Sequence, residues 1–307
     1  MKRKSLIRRA LPWAATGLGG AIALANLSIA FFVEQRLVRP RRKYNHTSDL
    51  DNFVPDVPYS LESHLFESYD GCKLSAILLK PDIPNGKIIL VCHGVRHDKR
   101  SGVRFVQYLL KAGYTLMLMD FRNHGESGGR ITTYGYHEKE DLRSAIRYLR
   151  NQGLNGSIGV LGASMGASVA LQAAADFDDI QAMVLDSPFA SLEQIALEQT
   201  ILATKLPKFA VYFPVWLACS WARFVERFPV CEVSPAKSAR DLKCPIFLIH
   251  GDADRKIGSH HSEHIYENAF VPKELWICEG AGHLGTYLKF PKEYETRVLK
   301  FFNAHLI

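Results

Sequence analysis

From Leu61 to His305, short apolar runs alternate with longer amphipathic ones, and this alternation restricts the possible folds more than any other property of the chain. Leu61–Tyr69 and Lys73–Leu79, on either side of Asp70-Gly71-Cys72, predict an opening hairpin. Strand-like Lys87–Cys92, Thr115–Asp120, Ser157–Leu161 and Ile180–Asp186 then interleave with helical Arg100–Ala112, His137–Asn151 and Met165–Ala175. Strands joined through helices pair side by side in the same direction, so the pattern predicts a mostly parallel sheet with helices on both faces. Between 188 and 237 the rhythm breaks into helical apolar spacing with Pro207, Pro214, Pro229 and many aromatics. It resumes with Pro245–His250, His260–Ala269, Glu274–Cys278 and Lys289–His305. An insertion at that point lies over the carboxyl ends of the strands, where open α/β sheets bind ligands, so 188–237 is predicted to be a helical cap.

Within this frame, Gly162-Ala163-Ser164-Met165-Gly166 falls where a strand-like run meets an Ala-rich helical one. A serine on so sharp a turn needs small residues two positions away on each side, because a side chain there would strike the strand or the helix. The turn raises the hydroxyl above the sheet and directs the Met165 amide towards a developing oxyanion. By itself the pentapeptide fits an ordinary small-residue crossover equally well, so its partners decide. Serine is a weak nucleophile and needs a histidine base oriented by a carboxylate. His283, in Gly280-Ala281-Gly282-His283 after the last strand, is the candidate base. Asp254, in Gly251-Asp252-Ala253-Asp254, is the candidate acid, with Asp252 as its rival. The order Ser164, Asp254, His283 is the Ser, Asp, His order of the nucleophile-elbow fold. A second oxyanion amide is assigned to Val95, after His93-Gly94, while His93 itself reads as structural.

Other clusters point elsewhere. His260 and His264 stand at i, i+4 with His261 between, but no H-E-x-x-H arrangement accompanies them, so an exposed helix start is expected and no metal. The cysteines (72, 92, 219, 231, 244 and 278) show neither paired metal spacing nor the density of a disulfide scaffold. Cys92, Cys244 and Cys278 read as buried thiols, whereas Cys219 and Cys231 are able to pair in an oxidising compartment. There is no dinucleotide fingerprint or Walker loop, so no cofactor is expected. The net charge of +7 is concentrated at one end: residues 1–43 hold ten Lys/Arg and one acid, leaving 28 basic against 30 acidic residues in the remainder. A near-neutral folded part argues against nucleic-acid binding.

Residues 10–33 form an uncharged run of 24, which as a helix is about 36 Å long and exceeds a hydrocarbon core of about 30 Å. It reads as a transmembrane helix, or as a signal peptide cleaved after Ala23-Leu24-Ala25. The continuation of apolar character through Phe31, Phe32 and Val33 favours the retained anchor. Basic residues on both flanks leave its orientation open. The resulting organisation is an anchor with basic flanks at 1–43, a polar linker at 44–60 and a catalytic domain at 61–307.

His93-Gly94, Asp120-Phe121-Arg122-Asn123-His124-Gly125-Glu126-Ser127, the Ser164 pentapeptide, Asp186-Ser187-Pro188, Gly251–Asp254 and Gly282-His283 together resemble the α/β-hydrolases, over roughly residues 60–305. Within that superfamily the chain looks closest to the membrane-anchored, serine-aminopeptidase-like and depalmitoylase-like group. The resemblance implies Ser164 as nucleophile, Asp254 as acid, His283 as base and Val95 with Met165 at the oxyanion hole. One position departs from the usual pattern: Arg122-Asn123 stands where Arg-Gly normally precedes His-Gly. The expected activity is hydrolysis of an ester or thioester with an apolar acyl group, a lipid-like or small molecule. A peptidase and a non-catalytic protein of the same fold are the alternatives. The cap run Phe209–Val225 reads as ordinary cap core or as an acyl-chain wall that also touches the bilayer, and in the second case Trp216, Trp221 and Phe224 are expected at the substrate entrance or against lipid.

Overall fold

The structure, a computed structural model, describes residues 20, 23–40 and 57–307. Eight strands form one sheet: β1 Tyr59–Glu67, β2 Lys73–Pro81, β3 Ile88–Cys92, β4 Thr115–Met119, β5 Ile158–Ala163, β6 Ala182–Asp186, β7 Ile246–Gly251 and β8 Lys273–Cys278. Their order is β1-β2-β4-β3-β5-β6-β7-β8. The hairpin β1–β2 is antiparallel, β2 runs antiparallel to β4, and every later pairing is parallel. The six parallel strands β3 to β8 therefore end on the same edge, and the loops that carry the candidate site residues leave from it.

Central strands are buried on both faces, which is why β3 (IILVC) and β4 (TLMLM) are continuously apolar. Alternate residues of β3 feed two cores. Leu90 packs with Leu142, Ile146 and Leu171 of helices α3 (Glu138–Asn151) and α4 (Met165–Asp176), whereas Ile89 and Val91 pack with Leu109 of α2 (Gln107–Lys111) and Phe302 of α10 (Pro291–His305).

Two expected helices are divided, each for a local reason. Over 100–112 a 3₁₀ helix, Lys99–Phe105, precedes α2: the Asp98 carboxylate caps the Arg100 and Ser101 amides, and Gly102 weakens α-helical continuation. The closing helix starts at Pro291, behind a short α9, Thr286–Lys289. Phe290, just before proline, is non-helical (φ −133°, ψ 60°), and Pro291 is suited to a first helical turn.

The cap comprises α5 (Leu192–Thr204), α6 (Lys208–Phe224) and α7 (Pro235–Ser238), and α8 (His260–Asn268) follows β7. The N-terminal region differs from expectation. Residues 10–19, 21–22 and 41–56, covering much of the expected membrane span and linker, lie outside the described residues. Residues 23–38 are helical and are named α1. Among the described residues no helix is long and apolar enough to cross a membrane. Ala30, Val33, Leu37 and Val38 are buried against Phe189, Ile195, Val215 and Ala222 of the cap. Burial of each larger side chain contributes about 1.5–3 kcal/mol. The second half of α1 is therefore an element of the cap.

Candidate active site

The strand β5 delivers Ser164 onto α4 with φ 52° and ψ −114°, a strained conformation for a residue with a side chain. Its amide donates to Asp186 O at 2.7 Å, which fixes the turn to the end of β6. A Cβ on Gly162 would stand 2.5 Å from Ala167 Cα, and one on Gly166 would stand 2.3 Å from Cys92 O. Helix α4 thus crosses β5 and β3 at a distance that only these glycines permit.

Ser164 Oγ lies 3.1 Å from His283 Nε2, and His283 Nδ1 lies 2.6 Å from Asp254 Oδ2. Because an ionised carboxylate only accepts, Nδ1 carries the proton and donates it to Asp254; Nε2 is then free to accept from the serine hydroxyl. The other Asp254 oxygen accepts the Lys256 and Ile257 amides at 2.8 and 3.0 Å. Burial raises the Asp254 pKa, but hydrogen bonds from His250, His283 and the Ile257 amide outweigh it and hold the carboxyl well below the usual range. Asp252, the rival, is exposed and accepts the Gly280 amide at 2.5 Å, closing the loop that leads to His283.

His250 was not singled out from the sequence. It is fully buried, its Nε2 is 2.8 Å from Ile257 O and 3.4 Å from Asp254 Oδ2, and its Nδ1 is 2.7 Å from Ser262 Oγ. It therefore pins the loop that presents Asp254. A histidine at the end of an otherwise apolar strand was the only available signal.

Gly94, Val95 and Met165 line the same cavity as Ser164 and His283. Met165 opens α4, so its amide has no acceptor within the helix, and the partial positive charge of the helix start adds to it. His93 points elsewhere. Its Nε2 accepts the Phe121 amide at 3.2 Å, its Nδ1 donates to Gly94 O at 2.8 Å, and burial keeps it neutral by pushing its pKa well down. It joins the ends of β3 and β4, a structural role.

The β4 loop accounts for the one departure from the α/β-hydrolase pattern. Asn123 has φ 59°, the left-handed region that favours glycine and next tolerates asparagine. Its side chain donates to Thr132 Oγ1 at 3.1 Å. Nearby, Arg122 is paired with Asp141 and Asp70, and Lys99 Nζ sits 2.6 Å from buried Asp120. Gly125 is required by contact, since a Cβ there would fall 2.2 Å from the Asp120 carboxylate.

Above Ser164 lies a cavity of about 360 Å³. Its apolar walls come from Val33 and Leu37 of α1 and from Leu192, Ile195 and Ala196 of α5, none of which the sequence reading assigned to the site. Trp216, Trp221 and Phe224 are not among its lining residues and are 52%, 56% and 79% exposed. Helix α6 turns Val211, Pro214, Val215, Ala218 and Ala222 inward, at spacings of three and four, so its aromatics necessarily project outward.

Among the described residues, Glu198, His260 and His261 have metal-compatible spacing, and His264 is not in the group. His261 is fully buried, contrary to the exposed helix start expected. Its Nδ1 accepts the Ala190 amide at 3.2 Å, so its Nε2 bears the proton and donates to Glu198 at 2.9 Å. The lone pair a metal would need is thus used, and the group is a clamp between α5 and α8. All six cysteines are free, including Cys219 and Cys231; Cys92, Cys244 and Cys278 are buried, as expected.

Residues 87–216 match the family described as alpha/beta hydrolase fold. YqkD of Bacillus subtilis is 31% identical over 223 residues, 72% of each chain. YfhR of Escherichia coli K12 is 28% identical over 76% of this chain and 77% of its own. Among solved structures, the Pyrococcus furiosus esterase Pf2001 superposes with a TM-score of 0.70 at 29% identity, covering 88% of this chain and all (100%) of that one.

Proposed function

This chain belongs to the α/β-hydrolase family, and from that premise we propose that it is a serine hydrolase forming an acyl-enzyme on Ser164 with an apolar acyl group. The observation that carries the reading is the continuous chain Asp254–His283–Ser164, 2.6 and 3.1 Å long, with the tautomer that leaves His283 Nε2 as the base. Ser164 Oγ attacks the carbonyl carbon as Nε2 takes its proton. The Val95 and Met165 amides donate to the oxyanion, and the imidazolium then protonates the departing alcohol or thiol. Water, deprotonated by the same nitrogen, releases the acid. Asp254 stays ionised throughout, in keeping with its depressed pKa.

The apolar cavity walls and the likeness to the Pf2001 esterase favour an ester or thioester. Against an aminopeptidase-type substrate, no Asp or Glu is among the described cavity-lining residues to hold a free α-ammonium group. A non-catalytic role is disfavoured by the intact Ser, His and Asp geometry. Labelling of the purified protein by a fluorophosphonate, lost in Ser164→Ala, tests the nucleophile. Turnover of acyl esters in preference to aminoacyl amides tests the bond. An enzyme that cleaves only the amides would be a peptidase.

We further propose that the protein is tethered at a membrane. The apolar sequence from residue 10 to residue 29, ahead of the buried part of α1, is 20 residues long, about 30 Å if helical. Leu24, Leu27 and Phe31 of α1 and Phe209, Phe213 and Trp216 of α6 are exposed, and such an apolar surface suits a bilayer beside the cavity.

A further inference from the structure

The cavity above Ser164 is apolar in its walls but one-sided in its charge. Arg36, Arg96 and Lys256 line it, and among the described lining residues there is no carboxylate. None of the three has an ion-pair partner among the described residues. Arg36 rests on the Phe32 ring at 4.8 Å, and Lys256 and Arg36 are exposed.

Arg96 is the distinctive one. It follows Val95 on the loop leaving β3, it is only partly accessible, and its Nε is buried without a hydrogen-bond partner. A buried guanidinium nitrogen without an acceptor is costly, and the fork geometry of arginine matches a carboxylate or a phosphate oxygen pair. Its backbone has φ 67°, the region glycine or asparagine occupies more easily. The turn itself therefore gains nothing from a long cationic side chain at this position. By contrast, the buried Arg122 is paired with Asp70 and Asp141.

We infer that the cavity takes an acyl ester that itself carries a negative charge, a carboxylate or a phosphate, held by Arg96 beside the oxyanion amides. Arg36 and Lys256 supply the same sign of potential along the path to it. The inference rests on Ser164 being the nucleophile and adds to it the charge class of the substrate.

Butyryl esters of 4-hydroxybenzoate, 4-hydroxyphenyl phosphate, 4-hydroxybenzamide and tyramine give a carboxylate, a phosphate, a neutral and a cationic leaving group on one acyl chain. Aryl hemiglutarates put the charge on the acyl side instead. One of the anionic series is expected to exceed its neutral counterpart in kcat/KM by about tenfold or more, with the tyramine ester poorest. The arms distinguish carboxylate from phosphate and leaving group from acyl group. In Arg96→Gln the anionic-to-neutral ratio is expected to collapse towards one, with smaller losses in Arg36→Gln and Lys256→Gln. Calorimetric binding of the same esters to Ser164→Ala reads the preference without turnover and must show the same ranking. A wild-type enzyme that labels with fluorophosphonate and cleaves the neutral ester but shows no anionic preference overturns this inference and leaves the hydrolase reading standing. A preference that survives in Arg96→Gln overturns the assignment to Arg96. Absence of labelling removes the hydrolase reading on which both rest.

Discussion

At the scale of single residues, the site depends on which acid faces His283 and on how the buried charges around it are compensated. Asp254 and Asp252 are two positions apart in one loop, yet only Asp254 reaches His283, at 2.6 Å. Asp254→Asn should lower kcat by about 10³–10⁴ by favouring the wrong imidazole tautomer. Asp252→Asn should cost far less, and steady-state kinetics on one ester with both variants decide the ranking. Asp186 poses a different problem. Burial pushes its pKa up to about 6, only partly offset by the Ser187 hydroxyl and by His250, His283 and Tyr294. Because the folded value exceeds the unfolded one of about 3.9, the protonated form favours the fold. That stabilisation is complete below about pH 4 and is lost as the pH rises through 6, a difference of order 2–3 kcal/mol. Asp186→Asn, which keeps an acceptor for Ser187, should therefore raise the thermal midpoint relative to wild type at pH 8. Its advantage should vanish at pH 4, and melting curves across that range would detect a midpoint difference that instead stays constant.

At the scale of elements, the cavity is shaped by two helices that present different faces to different neighbours. Helix α5 turns Leu192, Ile195 and Ala196 towards the cavity and sends Glu198 to His260 and His261 of α8, so the cap wall is clamped to the sheet domain. Burial raises the Glu198 pKa, but the hydrogen bonds from His261 and Gln194 and the neighbouring imidazoles bring it down to about 2. Chain-length selectivity should follow these walls. Ile195→Trp fills part of the 360 Å³ cavity and should shift the optimum towards shorter acyl esters, whereas Trp221→Ala, outside the lining, should leave the profile as it is. A series of esters of increasing acyl length measured on both variants would expose the opposite assignment. The exposed aromatics of α6 were legible as apolar but not as outward-facing. Their direction follows from Val211, Val215, Ala218 and Ala222 packing against the cap core, which fixes the opposite face.

At the scale of the whole molecule, the proposed membrane tether would use the charge of residues 1–43 together with the apolar surface of α1 and α6. Net positive charge there would attract anionic headgroups, while apolar side chains would enter the acyl boundary. The full-length protein should remain with membranes after carbonate extraction and should retain its first residues on N-terminal sequencing. A mature chain beginning at Asn26, or release by carbonate alone, would count against the tether. Truncation before residue 30 should release the enzyme while preserving its turnover of soluble esters, because the part of α1 that lines the cavity starts later.

Sequence alone determined the sheet and its mostly parallel character and pointed to Ser164 and His283 as candidates, with Asp254 and Asp252 both open as the acid, because these follow from local rules. Apolar alternation specifies strands and helices, Gly162 and Gly166 specify a turn that admits no side chain, and chain order matches a fold in which all parallel strands end on one edge. Tertiary structure alone decided what depends on contacts between distant segments. That Asp254 outcompetes Asp252 rests on the direction each takes from a shared loop, and His250 acquires its role only because Ile257 and Ser262 fold back around it. The incorporation of α1 into the cap could not be read from an apolar run, since hydrophobicity drives burial against lipid and against protein alike, and only packing on Phe189, Ile195 and Val215 distinguishes them. The same holds for the cavity, whose wall joins residues 33–37 to residues 192–196, two segments that no sequence periodicity connects.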